Sequence, residues 1–199
     1  MQRLVLASSN PGKLAEFNLL LANSGFDVVS QASLGVDDAE ETGLTFVENA
    51  LLKARHAARH TGLPALADDS GVCVDHLLGA PGLYSARYAG QHGDNASNNA
   101  KLLGDLEGVP RERRGAFYIC VLALLQHADD PAPLIAEGRW RGYMLTEARG
   151  VKGFGYDPLF VPDGQTASAA ELEPLLKSRM SHRGQALAKL HAQLAERHG

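Results

Sequence analysis

The residues able to do chemistry cluster at a few places in the chain, beginning with Ser8-Ser9-Asn10-Pro11-Gly12-Lys13. This hexapeptide joins an apolar run, Leu4-Val5-Leu6-Ala7, to a segment of helical character, residues 14–21. A strand that turns through small residues into a helix leaves backbone N–H groups at the helix start, and that geometry suits a phosphate. Lys13 adds a mobile positive charge at the same place. The segment is not a Walker A loop: Ala7 stands where that motif needs its first Gly, and Leu14 follows Lys13 where it needs Ser or Thr. The alternative is an ordinary surface turn capped by Ser9 or Asn10.

Asp68-Asp69-Ser70-Gly71 is the second cluster. Adjacent carboxylates on a regular strand point to opposite sides, so one is expected in a cleft and the other toward solvent or a helix cap. A carboxylate beside a phosphate loop suits Mg²⁺, which takes one or two protein carboxylates plus phosphate oxygens and water. The alternative is an Asp-Asp-Ser-Gly turn held by its own side chains. Glu40 and Glu41 precede a helix on which Asn49 and Lys53, four apart, share a face. Lys53 is either a solvated surface cation or a neutraliser of triphosphate charge. His56 and His60 continue that face and, without a third ligand, are expected at the surface. In Gly153-Phe154-Gly155-Tyr156-Asp157-Pro158 an aromatic face can stack a base and an Asp can accept from ring N–H groups. The alternative is a tight turn whose aromatics plug the core. Lys177 and Ser181-His182-Arg183-Gly184 bring cations to a helix start, against its dipole. That placement suggests an anion or carbonyl to be met there, or else a solvated basic turn.

The elements that must carry these groups alternate between strand and helix patterns. Residues 4–7 and 26–29 read as strands, with Gly25 ending the helix between them. Thr45 and Glu48 form a capping box for a helix reaching about His60. Residues 63–67 form a short strand that stops at Asp68-Asp69-Ser70-Gly71 and resumes at Val72-Cys73-Val74, and Gly79 to Gly82 is a turn. Residues 95–107 look helical, and Phe117 to Leu125 reads as a central strand. Residues 134–136 and 143–145 suggest an antiparallel pair around Gly138 to Gly142. After the Gly-rich loop come a strand at 159–161, a helix capped by Ser168 and Glu171, and a last helix from about Gly184 carrying Leu187, Leu190 and Leu194. The class is α/β, with no internal repeat and no low-complexity linker.

At 199 residues, 45% of them apolar, the chain has material for one cored domain. Its 23 acids against 19 Lys plus Arg give a net charge of −4, which argues against a general nucleic-acid binder. Cys73 and Cys120 lie in apolar stretches and read as buried free thiols. The first residues open directly into a strand, and no apolar run is long enough to span a bilayer. A cytoplasmic protein with no membrane partner is expected.

Taken in order, these motifs stop being independent. Ser8 to Lys13, Glu41-Thr42-Gly43-Leu44-Thr45-Phe46-Val47-Glu48-Asn49-Ala50, Lys53-Ala54, Ala67 to Gly71, Gly79-Ala80-Pro81-Gly82-Leu83-Tyr84-Ser85-Ala86-Arg87-Tyr88, Gly153 to Pro158 and Ser181 to Gly184 closely resemble the inosine/xanthosine triphosphate pyrophosphatase family. The likeness runs from residue 4 to about residue 190, and Ser178 stands where the family often has Asn. The resemblance implies a single catalytic domain over residues 1–199 with a two-lobed inosine-triphosphatase-like fold. It implies a long central mixed sheet, flanking helices and a cleft between the lobes, usually in a homodimer. It implies Mg²⁺-dependent cleavage of deaminated purine triphosphates (ITP, dITP, XTP) to the monophosphate and pyrophosphate. Carried over by motif, Ser8, Ser9, Asn10, Pro11, Gly12 and Lys13 hold the phosphates. Asp69 is the catalytic acid and binds metal with Glu40 (or Glu41), and Ser70 touches substrate. Phe154, Gly155, Tyr156, Asp157, Lys177, His182 and Arg183 form the base pocket. A related pyrophosphatase family implicated in septum formation shares a start like Leu6-Ala7-Ser8-Ser9 but lacks the Ser181-His182-Arg183 signature. A nucleotide sensor without turnover is the reading from another class, and the acids Glu40, Asp68 and Asp69 argue against it.

Overall fold

The computed structural model describes residues 2–21 and 25–198. Within them, β1 (Gln2–Ala7), β2 (Phe26–Ser30), β3 (Ala65–Val74), β4 (Gly115–Leu125), β5 (Leu134–Met144) and β6 (Phe160–Pro162) form one sheet in the order β2-β1-β3-β4-β5-β6. The sheet is mixed: β1 lies parallel to both β2 and β3, and β5 runs antiparallel to β6. The helices are α1 (Pro11–Leu21), α2 (Phe46–Thr61), α3 (Asn95–Asp105), α4 (Pro174–Met180) and α5 (His182–His198).

The chain divides into two compact units. The first comprises Met1–Asp69, Cys120–Gly138 and Arg183–Gly199. Its core gathers Leu4 and Leu6 of β1, Phe17 and Leu21 of α1, Leu122 and Leu124 of β4, and Leu187, Leu190 and Leu194 of α5. The helical spacing of those three leucines is therefore the buried stripe of an amphipathic helix. The second unit comprises Ser70–Ile119 and Arg139–His182. It packs Val72, Val74, Leu102, Leu106, Trp140, Met144 and Phe160 around Tyr118. The Phe160 ring meets Tyr118 edge-on at 4.9 Å between centroids, a favoured aromatic geometry.

Local signals account for both ends of α2. Thr45 caps α2: its Oγ1 accepts from Glu48 N at 3.3 Å, while Glu48 Oε2 takes the Thr45 hydroxyl and Leu44 N at 2.8 and 2.9 Å. Ala50, Ala54, Ala57 and Ala58 give α2 a buried face of small side chains. Gly62 closes the helix at φ 68°, a conformation that favours glycine.

Three expectations are corrected. Strand β3 runs unbroken through Asp68-Asp69-Ser70-Gly71, because both carboxylates find cations and need no turn. Residues 134–145 are not a hairpin: β5 continues through Gly138 and Gly142 and takes β6 as its antiparallel neighbour. Ser168 and Glu171 close a turn rather than a helix, with Ser168 N donating to Glu171 Oε2 at 2.7 Å, and α4 starts only at Pro174, a favoured first helical residue. The expectation that Gly25 ends this helix turns on residues 22–24, which lie outside the described residues.

Gly142 shows why that long strand carries a glycine. A Cβ there would collide with the Val161 carbonyl and come within 2.8 Å of the Phe160 ring. Gly142→Ala is expected to destabilise the protein by roughly 1–3 kcal/mol through overpacking. Urea denaturation checks this, and a change under about 0.5 kcal/mol contradicts it.

Candidate active site

The first unit centres on the paired carboxylates of β3. Asp68 is 1% exposed. Lys13 Nζ of α1 pairs with its Oδ1, and Arg183 Nε of α5 lies 3.3 Å from its Oδ2. The Cys120 thiol of β4 donates to the same Oδ2 at 2.9 Å. Arg183 also pairs with Glu16 of α1 and lies over the Phe17 ring, 5.6 Å from its centroid. Burial alone would raise the Asp68 carboxyl, but Lys13, Arg183 and Lys53 outweigh it and hold the group well below the usual range. The same burial, with the Asp68 charge beside it, drives the Cys120 thiol well above its ordinary value, so Cys120 is a donor here rather than a nucleophile.

Asp69, the next residue, meets a different cation. Lys53 Nζ of α2 lies 2.7 Å from Asp69 Oδ1 and 2.9 Å from Glu41 Oε1. Burial, the largest influence, raises the Asp69 carboxyl, and Lys53 and Lys13 offset it only in part. Lys53 is held above its ordinary value even though burial opposes its charge, because Asp69, Glu41 and Asp68 favour it. Asn49, one turn before Lys53, shapes the approach: its Oδ1 accepts from Gly43 N at 2.8 Å.

This donor set fits a hard cation. Two carboxylate oxygens, one from Asp69 and one from Glu41, converge on a single positive charge. Among the described residues no group of three or more His, Cys, Asp or Glu gathers as a metal cage. An ion held by two carboxylates completes its shell with phosphate oxygens and water, which is how Mg²⁺ is usually bound. Glu40, expected as the ligand, is exposed, and it is Glu41 that stands at Lys53.

The N-terminal loop is held by its own side chains. Asn10 caps α1: Lys13 N donates to its Oδ1 at 3.1 Å and Leu14 N to its carbonyl at 2.9 Å. Pro11 starts the helix and has no N–H, so Gly12 carries the remaining first-turn amide. The side chain of Pro11 lies outside the described residues. Ser8 is buried and accepts from Asn10 N at 3.3 Å, and the Ser9 hydroxyl donates to Asp38.

The second unit carries the aromatic loop. Gly153 and Gly155 have φ 78° and 62°, so the residue between them, half-buried Phe154, is flanked by two left-handed glycines. Buried Asp157 closes the loop by accepting from Phe154 N at 2.8 Å and from Lys177 Nζ at 2.8 Å. The Lys177 ammonium lies 5.5 Å from the Phe154 ring centroid. Tyr156 is buried and its hydroxyl donates to the Ser85 carbonyl at 2.8 Å. His182 stacks flat on Tyr118, with centroids 4.8 Å apart and planes 14° apart. Ser70 is half-buried on β3.

The structure therefore brings Lys13, Asp68 and Arg183 together, joins Asp69 to Lys53, and links Phe154, Asp157 and Lys177. Arg183, expected to read a base, is engaged by Asp68 and Glu16 in the first unit. Sequence reasoning did not reach Glu16 or the role of Cys120, since neither spacing nor type marks a partner 167 residues away, as Arg183 is from Glu16, or 52 away, as Asp68 is from Cys120. Glu16 did carry one signal: it is the sole acid on α1.

The Ham1 family model matches residues 4–193. The chain is 59% identical over 196 residues to a protein of Xanthomonas oryzae pv. oryzae named "dITP/XTP pyrophosphatase", covering 96% of this chain and 98% of that one. It is 55% identical over 197 residues to a protein of the same name from Photobacterium profundum, covering 98% and 100%. Among solved structures it is similar to a HAM1 protein from Coxiella burnetii, with a TM-score of 0.90, 49% identity and coverage of 98% and 100%.

Removing one partner from a buried pair costs more than the pair itself contributes, because the other charge is left without it. Arg183→Ala is expected to cost about 3–5 kcal/mol of stability. Urea denaturation measures it, and a loss below about 1 kcal/mol would show that Asp68 does not depend on Arg183.

Proposed function

This chain belongs to the Ham1 family, and from that premise we propose that it hydrolyses deaminated purine nucleoside triphosphates (dITP, ITP and XTP) to the monophosphate and pyrophosphate. The observation that carries the reading is the pairing of a helix start bearing Lys13 with the Asp69–Lys53–Glu41 cluster in one compact unit. The likeness to proteins named for dITP and XTP supplies the substrate class.

In this reading the chain's own groups divide the work of phosphoryl transfer, which is mainly positioning and charge neutralisation. Residues 8–13 receive the phosphates: the Gly12 amide, the α1 dipole and Lys13 all present positive potential to an anion. Lys53 offsets charge on the leaving pyrophosphate. Asp69 orients the attacking water and accepts its proton. Asp69 and Glu41 would hold Mg²⁺, which when bound supplies Lewis-acid stabilisation of phosphate charge. Ser70 contributes a contact to substrate.

Base recognition follows from hydrogen-bond sense. Phe154 offers a face for stacking. Deaminated purines carry a carbonyl at position 6 where adenine carries an amino donor. A His182 N–H directed at that carbonyl would meet a donor in ATP, and an unpaired buried donor costs about 1–3 kcal/mol. Asp157 and Lys177 serve through each other, fixing the loop around Phe154. The remaining features of the reading are a homodimer and action on the cytoplasmic nucleotide pool. Among the described residues no helix is long and apolar enough to cross a membrane.

Pyrophosphate release from dITP, XTP, dATP, dGTP and dTTP, each with Mg²⁺ and with chelator, tests the proposal. Fast release from dITP and XTP alone, abolished by chelator, is the expected result. Activity mainly on dTTP would place the chain with pyrimidine-directed pyrophosphatases, and saturable dITP binding without release would make it a sensor. His182→Ala is expected to lower the preference for dITP over dATP about tenfold or more, and an unchanged ratio would remove His182 from base reading.

A further inference from the structure

We propose that Asn99 of α3 is a positioning residue for base recognition: its side-chain amide holds the loop that presents Phe154. The proposal rests on the reading that residues 154–157 receive a purine. Asn99 Nδ2 donates to the Gly155 carbonyl at 3.1 Å. Gly155 directly follows Phe154, and the glycines on both sides of that ring have positive φ. Glycines impose little torsional preference of their own, so the direction of the Phe154 ring is set by whatever anchors the neighbouring peptide planes.

Different elements supply those anchors. From α4, Lys177 reaches Asp157, which also takes Phe154 N. From the turn at Gly82–Arg87, the Ser85 carbonyl takes the Tyr156 hydroxyl. Ser85 is itself fixed: its Oγ accepts from Val72 N at 2.9 Å and donates to the Gly82 carbonyl at 2.6 Å. This gives the Gly79-to-Tyr88 motif a role, as a rest for the base loop. Asn99 is the contribution of α3, and it acts on the peptide adjoining the stacking ring.

The state of the Asn99 amide distinguishes positioning from plain stability. Its Oδ1 is buried with no hydrogen-bond partner among the described residues. A buried amide that satisfies its donor but not its acceptor adds little net stability, because the unmade bond offsets the made one. Asn98, one residue earlier, is the contrast. Its Oδ1 accepts from Ala89 N at 2.7 Å and its Nδ2 donates to the Ala86 carbonyl at 3.2 Å, so both ends tie α3 to the 86–89 segment. Asn98 holds the fold; Asn99 aims the loop.

Two variants test this: Asn99→Leu, close in size without an amide, and Asn99→Asp, the same shape without the donor. Steady-state kinetics on dITP, inhibition by inorganic pyrophosphate, which has no base, and thermal denaturation are measured together. Both variants are expected to raise KM for dITP roughly fivefold to tenfold, with kcat nearly unchanged. The inhibition constant of pyrophosphate should stay at the wild-type value, and the Asn99→Leu midpoint should equal or exceed that of wild type. An unchanged KM in enzyme that hydrolyses dITP overturns the proposal and leaves the base-binding reading intact. Weaker pyrophosphate inhibition, or a midpoint lowered by more than about 5 °C, makes Asn99 a structural residue and also overturns it. Wild-type protein inert toward dITP removes the base-binding reading, and Asn99's role with it.

Discussion

A carboxylate with 1% exposure can remain ionised only where cations replace its water, and the first unit is arranged to meet that condition at Asp68. Lys13 comes from α1, Arg183 from α5 and the thiol donor from β4. Three elements far apart in sequence are tied to one oxygen pair. The geometry of the 8–13 loop follows, because Lys13 sits at the start of α1 and is held on its Asp68 side. The strand alternation does the rest: with Asp68 turned toward this network, Asp69 must face the other way. It meets Lys53 and Glu41 there.

The two neighbouring carboxylates consequently carry opposite energetic signs. Asp68 is held below its ordinary value in the folded state. Its contribution to stability is present above the unfolded value and disappears as pH falls through the folded one. Asp69 is raised. Above its folded value the ionised group costs stability, and that cost vanishes once pH drops below the unfolded value. One residue anchors the fold and the next stores an unfavourable charge, a familiar trade at sites that do chemistry.

How much of this the sequence disclosed depended on range. Short-range signals read true where a local bond makes them: the Thr45–Glu48 box starts α2, and the Gly62 cap ends it. The α5 leucines became core because a helical period needs no partner to be recognised. Local reasoning failed where distant charge decided. Asp68-Asp69-Ser70-Gly71 reads as a turn, yet cations from α1, α2 and α5 let β3 pass straight through. Ser168 and Glu171 have capping-box spacing, but the same hydrogen bond closes a turn without a helix behind it. The site motifs were legible as motifs. What the sequence did not disclose was their division of labour: that Arg183 serves Asp68, that Lys177 serves Asp157, and that Asn99 reaches the carbonyl beside Phe154.

The measurement that bears most directly on this arrangement compares Asp68→Asn with Asp69→Asn in metal-free protein by denaturation, and in the presence of Mg²⁺ by dITP turnover. Asp68→Asn should lose about 3 kcal/mol or more of stability, since Arg183 and Lys13 lose their shared anion. Asp69→Asn should lose less stability than Asp68→Asn, because Lys53 keeps Glu41 as a partner, while turnover falls by about two orders of magnitude or more. Equal stability losses, or near-normal turnover in Asp69→Asn, would contradict the division of roles between the paired carboxylates.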